Sequence, residues 1–168
     1  CLPVQALAAE DGWFYLAADW NGTLLIAPER VSYTADQTLY EALNASGHSF
    51  GPDENSVTQI DGKTGNFIRS DETGSHDLTR NAAQAGIRYL CFTDRLTAQP
   101  SDAMQSLIAA MADYRLEEPD VQLAAKVAYN AACAGYVTAD DNAALSLYTA
   151  LHNAVEQYKQ TLDGPKYN

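Results

Sequence analysis

The sequence predicts an α+β fold: a small mixed sheet with one helix over residues 1–97, followed by a three-helix unit over 101–168. Three observations carry this. An Asn-Gly pair at 21–22 joins two extended, aromatic-rich runs; a short helical pattern then ends at Gly47; and beyond Pro100 the apolar period lengthens from two to 3.6 residues. With 168 residues, 46% of them apolar, the chain can bury a core as one compact domain or two small ones.

The opening reads as a hairpin. "GWFYLAADW" is extended and aromatic, Asn21-Gly22 suits a turn in which both central residues need positive φ, and "TLLIAPERVSY" resumes the strand. Pro28 has no N–H for the ladder, so the second strand is expected at an edge or a bulge. "DQTLYEALNASG" follows as a helix with Asp36 as cap, Leu39, Ala42 and Leu43 inward, and Gly47 as the left-handed stop. "SVTQID" returns to strand, with Val57 and Gln59 on one face and Thr58 and Ile60 on the other. "GIRYLCFTD" alternates likewise, Ile87, Tyr89 and Cys91 against Leu90 and Phe92. The polar stretch between them, with its apolar pair Phe67 and Ile68, predicts one short strand and a long excursion.

Ser101 is placed to cap a helix striped by Met104, Leu107, Ile108 and Met111. Asp120 opens a second, Ala-rich helix running to Gly135, and its small side chains let neighbours approach its backbone closely. Thr138 and Asp141 imitate a capping box for a third, with Leu147, Leu151, Ala154, Tyr158 and Leu162 along one face.

Charge narrows the partners. With 22 acidic and 10 basic residues the formal charge is −12, which repels nucleic-acid backbones and anionic lipid heads. No apolar run approaches the roughly 20 residues of a membrane span. The chain begins at Cys1, the residue that bacterial lipoprotein processing leaves first, so a lipid anchor there is one reading and a chain boundary the other. Cys1, Cys91 and Cys133 have no metal-ligand or C-x-x-C spacing, and no stretch fits a calcium loop, so neither metal nor cofactor is expected.

Chemistry-bearing residues are few. In "SGHSFGPDENS" (46–56), Gly47 ends a helix, Phe50 folds back on it and Pro52 blocks its continuation, with His48 near the helix's negative end. A Cys91, His76 and Asp77 thiol hydrolase would supply nucleophile, base and orienter, but a mid-strand Cys between Leu90 and Phe92 reads first as core. The aromatic residues are more informative: ten tyrosines and two tryptophans, of which Trp13, Tyr15, Trp20 and Tyr33 crowd the hairpin. They either fill the sheet's core or offer flat faces with polar edges to a glycan or peptide.

The order strand, turn, strand, helix, then further strands is the β-grasp plan. "VSYTADQTLYEALNASGHSFG", "VTQIDG" and "GIRYLCFTD" resemble the β-grasp family related to the C-terminal domain of transcobalamin, over residues 12–94. The resemblance rests on Thr38, Leu39, Ala42 and Leu43, on Val57, Ile60 and Gly62, and on Ile87, Tyr89 and Phe92; "GNFIRSDETG" stands where that family has a W-x-Y strand. "AACAGYVTADDNAALSLYTALHNAVEQY" is similar to FIVAR-type helical modules of Gram-positive surface proteins. These resemblances imply a non-catalytic extracellular binding or spacer module of a bacterial cell-surface protein or lipoprotein, with a glycan or peptide as partner. The alternatives are the thiol hydrolase using Cys91 and His76, and an oligomerisation module acting through the Ala-rich helix.

Overall fold

A computed structural model describes residues 10–74, 77–95, 99–117 and 123–163. The chain runs β1 (Gly12–Trp20), β2 (Thr23–Tyr33), α1 (Leu39–Ala45), β3 (Phe50–Asp53), β4 (Ser56–Ile60), β5 (Lys63–Thr64), β6 (Ile68–Asp71), α2 (Ala82–Ala85) and β7 (Tyr89–Thr93). Three longer helices follow: α3 (Asp102–Glu117), α4 (Leu123–Gly135) and α5 (Asp141–Asp163). The fold is α+β with a helical C-terminal part, as the change of period predicts.

One sheet has the order β2-β1-β7-β6 and a smaller one the order β3-β4-β5. The hairpin turn is made by Asn21 and Gly22 at φ 51° and 77°, the mirror-image turn that Asn-Gly favours. β2 lies at the sheet edge, one of the two places expected of a strand that contains Pro28. β1 is buried from Phe14 to Asp19.

α1 buries Leu39, Ala42 and Leu43, and Gly47 at φ 95° follows its last turn. Its cap differs from expectation. Thr38, not Asp36, accepts the Glu41 N–H while the Glu41 carboxylate accepts the Thr38 N–H, a reciprocal capping box. Asp36 instead accepts a hydrogen bond from the Thr34 hydroxyl at 2.8 Å.

Strict alternation also fails in β4, where Val57 and Ile60 are both buried. Opposite β3, Gly51 pairs with Gln59 but Pro52 with Val57, so Thr58 is an extra residue and the bulge returns Val57 to the face of Ile60. The polar excursion holds more order than one strand: β5, β6 and the single turn α2, capped by Asn81 and closed by left-handed Gly86. In β7, Leu90 and Phe92 are buried and Phe92 meets Phe50 at 5.1 Å, while Cys91 is half-buried.

The described residues divide into two compact units, one from the ranges 1–16 and 30–99, the other from 17–29 and 100–168. In the second, Ser101 caps α3 and Leu107, Ile108, Met111 and Ala112 are fully buried. Arg115 of α3 donates to the Ala27 carbonyl at 3.2 Å and meets Glu29 at 3.5 Å. The cap of α5 is Asp140 rather than Thr138: its carboxylate accepts the Ala143 N–H and its carbonyl the Ala144 N–H. Leu151 and Ala154 are buried along α5, but Leu162 is 60% exposed, so the inward stripe stops short of the helix's end. The predicted helix start at Asp120 lies outside the described residues.

Candidate functional site

The first unit carries a cluster of rings and cations on one part of the larger sheet. Trp13 and Tyr15 lie two residues apart on β1 and therefore share a face; their rings meet edge to face at 4.8 Å. Tyr15 stacks on Tyr89 of β7 at 5.4 Å. β2 and β7 flank β1 on opposite sides. Arg30 of β2 reaches the Trp13 ring from one side, its Cζ 4.0 Å from the centroid, and Arg88, at the entry to β7, reaches it from the other at 4.1 Å. Both arginines are exposed and Trp13 is half-buried.

Local hydrogen bonds fix this arrangement. The Arg88 carbonyl accepts the Tyr15 N–H at 2.7 Å, tying the two central strands together. The Glu72 carboxylate takes the N–H groups of Arg88 and Tyr89 at 2.7 and 2.8 Å, one on each oxygen, and so sets where Arg88 leaves the backbone. The guanidinium positive charge and the negative face of the indole attract each other, which holds two long side chains in defined places.

The four aromatic residues singled out from sequence separate. Trp13 and Tyr15 belong to this cluster. Tyr33 stacks on Phe14 at 6.3 Å instead, and it crosses Gly12, where an added Cβ would run into the Tyr33 hydroxyl and ring. Trp20, at the end of β1, falls in the second unit and is half-buried. The sequence reading missed Arg30, Arg88 and Tyr89 as members. The signal for Arg30 was present: it stands at an alternate position of β2, beside a strand of aromatics, in a chain with only 10 basic residues.

The opening chemical candidates have structural partners. His48 Nδ1 lies 2.7 Å from the Asp61 carboxylate, whose other oxygen accepts the Ser49 N–H. Asp53 accepts the N–H groups of Asn55 and Ser56, building the turn between β3 and β4. The Phe50 N–H goes to the Asn44 side chain and its carbonyl to the Tyr40 hydroxyl, so "SGHSFGPDENS" seats α1 against β3. Asp77 binds the N–H and hydroxyl of Thr79, which hold its carboxyl below the usual range. His76 lies outside the described residues. Among the described residues no group of three or more His, Cys, Asp or Glu is placed to hold a metal ion.

A second surface lies on the helical unit. α4 and α5 leave a shallow apolar groove between Leu123, Val127, Ala131 and Ala150, with Leu123 and Val127 72% and 59% exposed. Cys133 of α4 is half-buried beside Tyr129, and burial raises the pKa of both. No helix among the described residues is long and apolar enough to cross a membrane.

Comparison with protein-family models, with curated proteins and with solved structures yields no match to this chain.

Proposed function

We propose that this chain is a non-catalytic binding module of an extracellular bacterial surface protein or lipoprotein, and that it takes a glycan or peptide at the Trp13 cluster. The observation that carries this is the exposed pair Arg30 and Arg88 held against one half-buried tryptophan. Ordering two long basic side chains at a surface costs up to about 2 kcal/mol each in rotamer freedom, which contact with the ring offsets. The β2-β1-β7-β6 order, with α1 between β2 and the later strands, is consistent with the β-grasp plan.

Titration with neutral and acidic oligosaccharides and short peptides, followed by tryptophan emission, tests the reading. A saturable shift with any of them supports binding, at millimolar to high micromolar affinity for a single module. If no ligand shifts the emission, the binding reading falls and the spacer role remains.

A second reading, oligomerisation through α4, is favoured by the exposure of Leu123 and Val127. Sedimentation over a hundredfold range of concentration separates the two, because a self-associating module gains mass without any ligand. For the thiol hydrolase, fast alkylation of Cys91 under native conditions would be the sign, since only a thiolate of lowered pKa reacts quickly at neutral pH.

A further inference from the structure

We infer that the cleft where the chain passes from β4 and β5 into β6 binds a neutral sugar. None of the residues of the Trp13 cluster lines it, so this second contact stands or falls apart from the first.

The cleft comes from a change of sheet. β5 pairs with β4 over two residues, Gln59 with Thr64 and Ile60 with Lys63, and the Gly65 N–H then donates to the Thr58 carbonyl at 3.0 Å. Beyond that bond the chain leaves β4, and from Ile68 it pairs with β7 instead. Residues 55–58 and 66–69 line the space left between, about 370 Å³, which falls in the range of roughly 300–1,000 Å³ usual for small-molecule sites. Arg69 crosses it, its two terminal nitrogens donating to the Glu54 and Asn55 carbonyls at 3.5 and 3.2 Å. Hydrogen bonds thus tie the cleft together at Thr58 and again at Asn55, and its width is set before any ligand arrives.

Its chemistry is uncharged and two-sided. Asn55, Ser56, Thr58 and Asn66 line the space, and among the described residues none of their side chains hydrogen-bonds to another residue. An amide or a hydroxyl both donates and accepts, and a sugar hydroxyl does the same, so each contact can be made in either sense. A carboxylate or a phosphate only accepts, and would leave the accepting atoms of these groups unused. Phe67 and Ile68 add half-buried apolar surface, which suits the C–H face of a sugar ring. The one charged lining residue, Arg69, is engaged by the two carbonyls, and Asp53 and Glu54, exposed just before Asn55, oppose an incoming anion. An extended peptide fits less well. A strand laid between β4 and β6 needs about 4.8 Å on either side and an open path, and the Arg69 and Gly65 hydrogen bonds cross that path.

The test titrates the whole isotope-labelled chain, with its amide resonances assigned, against glucose, galactose, mannose, N-acetylglucosamine and their disaccharides. Glucuronate, inorganic phosphate and a blocked dipeptide are run beside them. At least one neutral sugar should give saturable, millimolar shifts centred on residues 55–58 and 66–69, with the acid, phosphate and dipeptide weaker. Asn66→Ala should weaken that sugar about fivefold, as the loss of one hydrogen bond requires. Asn66→Asp should weaken it at least as much, because its carboxylate can no longer donate. Phe67→Leu, which removes the flat ring and keeps an apolar side chain, should weaken it as well, and the dispersion of each spectrum shows whether the variant is folded.

Tighter binding of glucuronate, phosphate or the dipeptide at these amides would overturn the assignment, and so would folded Asn66 variants that bind unchanged. If no neutral sugar moves the amides of 55–58 and 66–69, the cleft is not a sugar site. Shifts confined to the Trp13 indole and the Arg88 amide would remove this site and support the Trp13 cluster, whose own titration by tryptophan emission is unaffected by any of these results.

Discussion

The strands and the helices of this chain treat their apolar residues differently. On β1, Phe14 through Ala18 are all at most 5% exposed, and on β7 Leu90 and Phe92 are nearly inaccessible. Among the described residues, the large apolar side chains that stand exposed are Leu116, Leu123, Val127, Leu145 and Leu162, all of them on α3, α4 or α5. Among the described residues, none of the exposed large apolar side chains lies on a strand. The helical unit keeps surplus apolar surface, and scattered leucines of that kind are normal, whereas Leu123 and Val127 one helical turn apart form a face.

The largest expected effect tests the well-filled side of that contrast. Phe92→Ala removes a fully buried ring packed on Phe50 and should cost about 3–5 kcal/mol, read as a lowered denaturation midpoint with loss of near-ultraviolet ellipticity. A change under about 1 kcal/mol would mean that the core of the first unit collapses around the hole. Leu151→Ala makes the matching cut in the helical unit, where Leu151 is fully buried; its cost should be about 2–4 kcal/mol, the smaller value reflecting a smaller side chain.

How much of this was legible depended on the range of the signal. The hairpin at Asn21-Gly22, the inward face of α1 and the cap of α3 are local, decided within a few residues, and were read correctly. The bulge at Thr58 depends on what β3 presents across the ladder, so the alternation of "SVTQID" misplaced Ile60. Asp36 and Thr138 each stood near a helix start with a suitable oxygen; Thr38 and Asp140 took the caps because only they sit where their oxygens meet the free N–H groups two or three residues on. The candidate site was half legible. Trp13 and Tyr15 share a strand, but Arg30 and Arg88 come from its two neighbours, 17 and 75 positions along the chain, and only pairing brings them together.

At the next level down, Thr38→Ala removes the hydroxyl of the α1 capping box and should cost about 1 kcal/mol, with Thr38→Ser restoring most of it. The seven-residue α1 has few hydrogen bonds of its own to spare. Thermal denaturation of both variants sharpens the comparison, because Asp140→Ala on the much longer α5 should cost no more.

Cys133 gives the helical unit a pH dependence. Burial, ahead of its neighbours' effects, raises its thiol pKa in the folded chain. A raised acid stays protonated in the folded state after the unfolded state has begun to lose its proton, so its contribution is intact below the unfolded thiol value of about 8.5 and declines as pH rises through the folded one. Stability measured from pH 7 to 10 should fall less steeply in Cys133→Ala. Native alkylation at pH 7.5 should modify Cys133 slowly, and a fast reaction there would contradict the raised pKa.

The smallest expected effect is the most direct probe of the surplus surface. Leu162→Ser replaces a side chain that is 60% exposed near the end of α5 and should change stability by no more than about 0.5 kcal/mol. Val127→Ser, at similar exposure, should be equally quiet in dilute solution. The two diverge if α4 is a contact between copies. Val127 would then be buried in the assembled form, and its serine variant would lose concentration-dependent mass and thermal stability together, while Leu162→Ser would keep both. Identical behaviour of the two variants at every concentration would show the α4 face to be ordinary exposed surface.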